Sequence, residues 1–559
     1  MKLNSRVRLR VVVWCSTVVG SAFVGGESPA HEGHRAATYR VTPAAANVAA
    51  GPHLRLRIVD TNGQAIAARF TLTVDGAPYT PARVSRGGLR FVSIHQRRKQ
   101  QFVATYARGK SEILIPLPDG ARRGAVTAAK GFEFAPAAAT FEIERGQARA
   151  KVTLRRWIDL QSKGWHAADE HLHYERTAQT HDADWLTMLD ADGLSHAHFL
   201  VLKGGNLPGV WAQQYEYGEA GEAKDGERLI RSGEEYRDSS QGHINLLGVE
   251  RVIEPISTGG IGEPRVPHNF PPLLDVFRRT HELGGIGGPA HGGSLARSST
   301  AALDTVLGQV DFIEIANSHL FKTDVWYGML NCGFMLPPVA GTDLPNFGFR
   351  DSWQPLLGEV RTYVQCGERR DFAGWKEAVR RGEVFVTSGP LIQVEVGGRG
   401  PGGVVKLPPQ GGEVTVSAEL ASPRPLQRLE IIRMGRPEAL AVKRTQSDGI
   451  HRLSIEQKLK ITESCWLAAR GAGGPKTAIE QGLRIRQDAI AHTGVVQVIV
   501  GDKPIRSLPD VKRLRRQLID QQEFYRTRAS YAKAADRVRF VKLFDEALER
   551  LSSTNGSRR

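Results

Sequence analysis

Cysteine is scarce: four in 559 residues. One of them, Cys15, lies in the first apolar stretch, which leaves Cys332, Cys366 and Cys465 for the rest of the chain. Three cysteines allow at most one bridge, so a disulfide-stapled fold is excluded, and cysteine is a poor candidate for the chemistry. A second absence is a membrane span. The stretch 11–24 is mostly apolar or small but falls short of the roughly 20 residues a span needs, and no later segment competes with it. A third is a basic tract. The net charge of +16 is spread along the chain with no long run and no recognisable nucleic-acid motif. An arginine-rich solvated surface accounts for it better than a nucleic-acid partner.

What is present begins with an address. Lys2, Arg6, Arg8 and Arg10 precede the apolar stretch, and Ala22, Gly25 and Gly26 supply small residues near a cut. That is the layout of an export signal over residues 1–26, with an uncleaved anchor as its alternative. The remaining composition, 41% hydrophobic and 24% charged, is that of a globular protein too long for a single core.

Texture divides the chain further. Residues 27–52, rich in Ala, Pro and His, read as a linker. From Leu54-Arg-Leu-Arg-Ile-Val59 onward, short alternating runs broken by turns predict a β-sandwich over 53–156. Residues 157–390 alternate apolar strand-like runs with helical stretches, as in βα units on a mainly parallel sheet. Strand patterns return over 391–504 and predict a second sandwich. Spaced apolar residues such as Val511, Leu514, Leu518, Val541 and Leu548 then predict a helical hairpin over 505–559, its charged faces solvated.

Eleven of the 17 histidines fall between His166 and His319. In Asp169-Glu-His-Leu-His173, strand alternation sends Asp169, His171 and His173 to one face, which is half of a metal site. Glu235 and His243 flank a polar turn. Gly285-Ile-Gly-Gly-Pro-Ala-His291 delivers one histidine from a glycine-rich strand end, and Gly341-Thr-Asp343 delivers one carboxylate. Each alone reads equally as a loop. Together they fit ligands gathered at the C-terminal ends of successive strands.

Gly164-Trp-His-Ala-Ala-Asp-Glu-His-Leu-His173 resembles the opening motif of the PHP superfamily, named for its polymerase and histidinol phosphatase members. The branch of secreted metallohydrolases related to carbaryl hydrolase is the nearest in pattern. Gly233-Glu-Glu235 with Gly242-His243, Pro289-Ala-His291, Gly341-Thr-Asp343, Arg361-Thr-Tyr-Val364 and Phe385-Val-Thr-Ser-Gly-Pro390 follow in the family's order. The resemblance implies a distorted (β/α)₇ barrel within an α/β chain, flanked by β-sandwiches. It implies His171, His173, Glu235, His243, His291 and Asp343 as ligands of one or two divalent ions, with Glu235 as bridge and Asp169 orienting a ligand histidine. Two departures stand out. Phe199-Leu-Val-Leu-Lys203 replaces the usual Thr-Asp-His, placing Lys203 near the absent histidine, and no histidine follows Asp343-Leu-Pro345. His166, His181, His196 and His198 match no ligand position and read as supporting, substrate-facing or structural.

Imidazole and carboxylate ligands without thiolate suit zinc, manganese or iron. The expectation is therefore an exported hydrolase that uses metal-activated water on a small-molecule ester, carbamate, amide or phosphoester. His291, Glu235 and Arg237 are the candidate catalytic groups, Arg237 for an anionic part of the substrate. The alternative is an exported carbohydrate- or ligand-binding protein that keeps the barrel without turnover.

Overall fold

A computed structural model describes residues 39–42, 51–95, 100–203, 210–238, 240–258, 269–318, 320–345, 357–475 and 488–553. The expected leader, 1–26, lies outside them. Among the described residues no helix is long and apolar enough to cross a membrane, and Cys332, Cys366 and Cys465 are all free and buried.

In the N-terminal region, alternation along Ala67–Val74 buries Ala68, Phe70, Leu72 and Val74 on one face. That strand lies inside an antiparallel sheet with Tyr39–Thr42, Gly88–His95, Gln100–Arg108, Arg123–Ala129 and Ala137–Glu142. A three-stranded sheet, Gln147–Thr153, His53–Val59 and Ile113–Pro116, contributes Leu54, Leu56 and Ile58 to the same core. Tyr39–Thr42 corrects the expected linker: part of it pairs with Gly88–His95 as an edge strand.

Nine strands carry the middle of the chain: β1 (Trp165–Leu172), β2 (His196–Leu202), β3 (Leu229–Asp238), β4 (Gly242–Leu247), β5 (Ile286–Pro289), β6 (Ile313–Asn317), β7 (Pro338–Ala340), β8 (Arg361–Gln365) and β9 (Val384–Thr387). β1, β2 and β3 run parallel and are buried almost throughout, as expected for strands covered on both faces. The regular βα alternation fails beyond them. β3 and β4 form an antiparallel hairpin with Arg237 opposite His243, and β4 to β5, β1 to β8 and β8 to β9 are antiparallel as well. β6 pairs with β7 in a separate small sheet. A backbone bond from Asp311 N to Gly287 O (2.8 Å) and a bridge between Leu172 and Leu344 tie that sheet to β5 and β1. Helices are few: α1 (Asp182–Ala191), α2 (Leu273–Glu282), α3 (Ala301–Val306), α4 (Asp324–Asn331) and α5 (Phe372–Arg381). The result is a mixed α/β unit built mostly of sheet.

The boundary expected at residue 390 is also corrected. β9 pairs with Asp488–Thr493, Phe385 opposite Thr493, so one sheet runs on into Cys465–Pro475 and Leu426–Arg433. A four-stranded sheet, Leu391–Val396, Gly412–Ser422, Ile450–Ile461 and Lys443–Ser447, shares a core with it through Val416, Leu420, Ile431 and Leu467. The chain ends in α6 (Leu508–Thr527) and α7 (Ala534–Ser552). These stack Tyr525 on Phe540 at 4.3 Å and bury Leu518 and Phe544 in one cluster with Ala302, Leu303 and Val306 of α3. The hairpin is thereby fixed to the middle unit.

Candidate metal centre

Six polar side chains meet where β1, β3, β5 and β7 end. His171 and His173 come from the end of β1, Glu235 from β3 and His243 from β4; His291 follows β5 and Asp343 follows β7. Ligand atoms of three overlapping sets, His171–His173–Glu235, His171–His291–Asp343 and Glu235–His243–His291, each lie within 4.8 Å of one another. All six candidates are thus brought together, with Glu235 shared by two sets.

The floor of the site is sealed and its rim is open. His171, His173 and Glu235 are 0–2% exposed, while the side chains of His243 and His291 are 29% exposed and that of Asp343 is 20% exposed. At the floor, each imidazole is aimed by a bond at its far nitrogen. His173 Nδ1 donates to Leu200 O (2.8 Å), leaving Nε2 3.3 Å from Asp343 Oδ1 and 3.4 Å from Glu235 Oε2. His171 Nδ1 meets Glu314 Oε1 (2.9 Å) and lies 3.1 Å from Asn245 Nδ2, leaving Nε2 3.6 Å from Asp343 Oδ1. A carboxylate or carbonyl behind a histidine, fixing its tautomer and its aim, is the usual support of a metal ligand.

Glu235 sits at the centre. Its Oε1 is 3.1 Å from His243 Nδ1 and 3.2 Å from His291 Nε2, and its Oε2 is 3.7 Å from Arg237 Nε. Burial would raise this carboxyl's pKa. Arg237, His243 and His291 together hold it well below the usual range instead. Burial likewise works against a charged His171, yet Glu314, Asp343 and Glu235 push its pKa up to about 10. Three carboxylates, those of Glu235, Glu314 and Asp343, therefore converge on a buried point and favour positive charge there. That is the electrostatic profile of a cation site.

The fit to a divalent ion rests on atoms left without partners. His171 Nε2 and His173 Nε2 are buried and make no hydrogen bond, and they lie 3.6 Å and 3.3 Å from Asp343 Oδ1. Buried polar atoms almost always find partners, so two such nitrogens beside carboxylates mark a place for a shared electrophile. His291 (φ 55°) and Asp343 (φ 57°) also hold left-handed backbone conformations, uncommon outside glycine. Strain of this kind persists only where surrounding structure enforces it.

Close backbone approach explains two glycines. A Cβ on Gly341 would lie 2.5 Å from His171 N and 2.6 Å from its Cβ; one on Gly288 would lie 2.2 Å from Phe312 O. The loop that carries Asp343 is laid directly on the strand that carries His171, with Asp343 N bonded to His171 O (2.7 Å).

One expectation needs correcting, and two readings left open are narrowed. Asp169 does not orient a histidine ring. Its carboxylate accepts from Thr342 N (2.9 Å), Thr342 Oγ1 (2.6 Å) and Gly358 N (2.9 Å), and so pins the loop that presents Asp343. His166, His196 and His198 are not near the site. They occupy the opposite, N-terminal ends of β1 and β2, where His166 Nε2 meets Gly367 O (3.0 Å), His196 Nε2 meets Arg370 O (2.9 Å), and His198 packs 4.6 Å from Trp375. Lys203 follows β2, half-buried, and among the described residues no hydrogen bond or ion pair joins it to the six.

Glu314 is the functional residue that sequence reading missed. Besides His171 Nδ1, it accepts from His291 N through Oε2 (2.6 Å), so one carboxylate positions two candidate ligands. The signal was a lone acid inside the apolar run Phe312-Ile-Glu-Ile315, since such an acid is costly unless bonded.

Comparison with known families finds no matching model, and comparison with curated proteins finds no match. Among solved structures, the lesion-specific endonuclease PfuEndoQ from Pyrococcus furiosus matches with 14% identity and a TM-score of 0.23, over 39% of this chain and 56% of that one. The chain thus spans little more than half the length of that protein, and at this TM-score the functional reading rests on the side chains themselves.

Proposed function

We propose that this chain is an exported metal-dependent hydrolase of the PHP kind, akin to the branch related to carbaryl hydrolase. The observation that carries the reading is the meeting of six imidazole and carboxylate side chains from five segments, two of them with buried ring nitrogens left without a hydrogen bond. His171, His173, Glu235 and Asp343 would hold one ion, and Glu235, His243 and His291 a second. Zinc, manganese or iron all suit this set. A bound divalent ion supplies Lewis acidity, lowering the pKa of water towards neutrality and polarising the bond under attack.

The chain's own residues do the rest. Glu314, Leu200 O and Asp169 hold the floor and the Asp343 loop in place. Where it does not hold an ion, His291, whose pKa Glu235, Asp343 and Glu314 raise against the effect of burial, would carry a proton at the open rim. Arg237, half-buried beside Glu235, presents a guanidinium to an anionic oxygen of the substrate. The bond cleaved is an ester, carbamate, amide or phosphoester of a small molecule.

Chromogenic acyl esters and phosphoesters, offered to native protein and to His171→Ala and Glu235→Ala, test the reading. Native protein should turn over at least one class, and both variants should lose that activity while keeping their fold. Undiminished turnover by the variants would refute it. A native protein that holds metal yet hydrolyses nothing in the panel would favour a binding protein on the same scaffold.

A further inference from the structure

α6 has two faces of opposite character. Leu514, Leu518, Gln521 and Tyr525 are buried against α7 and the middle unit. At 3.6 residues per turn, Leu508, Lys512, Arg515, Arg516, Ile519, Glu523 and Arg526 gather on the other side within an arc of roughly 100°. All seven are exposed. Arg526 is paired with Glu523. Among the described residues, Lys512, Arg515 and Arg516 make no ion pair or hydrogen bond with the rest of the protein, so three cations stand unanswered on two turns.

The apolar residues between them are as telling. Five large hydrophobic side chains are exposed among the described residues, and two of them, Leu508 (66%) and Ile519 (37%), lie on this arc. A merely solvated helix face has no use for them, and a partner that answers only charge leaves them wet. An anionic bilayer answers both: headgroups meet the cations while the apolar side chains enter the boundary with the acyl chains. Nucleic acid would answer the cations but leave Leu508 and Ile519 wet, because the arc holds no aromatic residue to stack on a base. α6 is anchored to the middle unit through Gln521 Nε2 to Ala296 O (3.2 Å), so a surface that holds this face also holds the candidate metal centre's unit.

We propose that the outer face of α6 docks the protein on an anionic phospholipid surface. The proposal stands apart from the hydrolase reading, since none of its residues belongs to the metal centre.

Flotation of the full-length chain with phosphatidylcholine vesicles, and with vesicles of roughly one-third phosphatidylglycerol, tests it. Native protein should bind the anionic vesicles, and added salt should weaken that binding. Lys512→Gln, Arg515→Gln and Arg516→Gln combined should weaken it about 150-fold, at about fivefold per cation near a charged membrane. Ile519→Ser should weaken it several-fold without altering the salt dependence. Both proteins carry the same N-terminal segment, so the difference between them reads α6. An unchanged thermal melt and metal content in the variant would separate lost docking from lost fold. Equal binding to neutral and anionic vesicles, undiminished binding by the triple variant, or displacement from vesicles by duplex DNA would overturn the proposal.

Discussion

Gly341→Ala is the smallest change that should open the metal centre without replacing a ligand. A methyl group there would sit 2.5 Å from His171 N and 2.6 Å from His171 Cβ. The two segments must separate by about 1 Å to restore an ordinary contact. Neither can move freely. Asp343 N is bonded to His171 O at 2.7 Å, and Thr342 is held to Asp169 at 2.9 and 2.6 Å, so separation strains or breaks those bonds. Overpacking of this kind costs about 1–3 kcal/mol. Metal ligands tolerate displacements of only about 0.2 Å, so a shift of about 1 Å between His171 and Asp343 should lower metal affinity at least tenfold. Competition against a chelator of known affinity reads the second effect, and denaturant unfolding of metal-free protein reads the first. Native affinity and native stability in Gly341→Ala would refute the stacking of loop on strand from which the loss is worked.

Two buried groups far from the centre make pH predictions of opposite sign. Burial drives the pKa of His196 down to about 4 and that of His198 well below its ordinary value, and neither nitrogen of His198 has a partner. The unfolded chain takes up these protons near pH 6.5. Stability from the neutral rings is therefore present above about pH 6.5 and lost as pH falls through about 4, by up to about 1.4 kcal/mol per unit and per ring. His198→Leu should flatten that loss in urea unfolding between about pH 6 and 4; a slope as steep as native would count against it. Asp304, fully buried with Thr300 Oγ1 at 2.7 Å, has its pKa raised by burial to about 8. Its contribution is whole below the unfolded value and drains as pH rises through about 8, so Asp304→Asn should stabilise by at least about 1 kcal/mol at pH 9 and much less at pH 5. Equal effects at both values would contradict this.

Five of the six candidate ligands were legible because they sit at or just past a strand end beside a turn or glycine. Glu235, three residues inside the end of β3, was legible from its place across a polar turn from His243. Glu314 and Asn245 were hidden by the reverse circumstance. Both lie inside buried strands, where a single polar residue reads as noise until its partner is known. Sequence alone leaves His196 and His198 with three readings: supporting, substrate-facing or structural. They are close to His171 in sequence and belong to a neighbouring strand, but they enter at its far end, and only strand direction separates the two groups. The sheet that runs from β9 through Asp488–Thr493 was beyond pattern reading, because alternation marks a strand without naming its neighbour. The α6 face shows another limit: spacing predicted the helix, but only its docked partner shows which cations remain unanswered.

Metal analysis of protein purified without chelator bears most directly on the whole account. Native protein should carry on the order of one or two zinc, manganese or iron ions per chain, the number that the overlapping donor sets can seat. His173→Ala and Glu235→Gln should lose them while keeping the native circular dichroism. An empty native protein that stays empty when offered these metals, or variants that bind as many ions as the native chain, would contradict the assignment of this cluster as a metal centre.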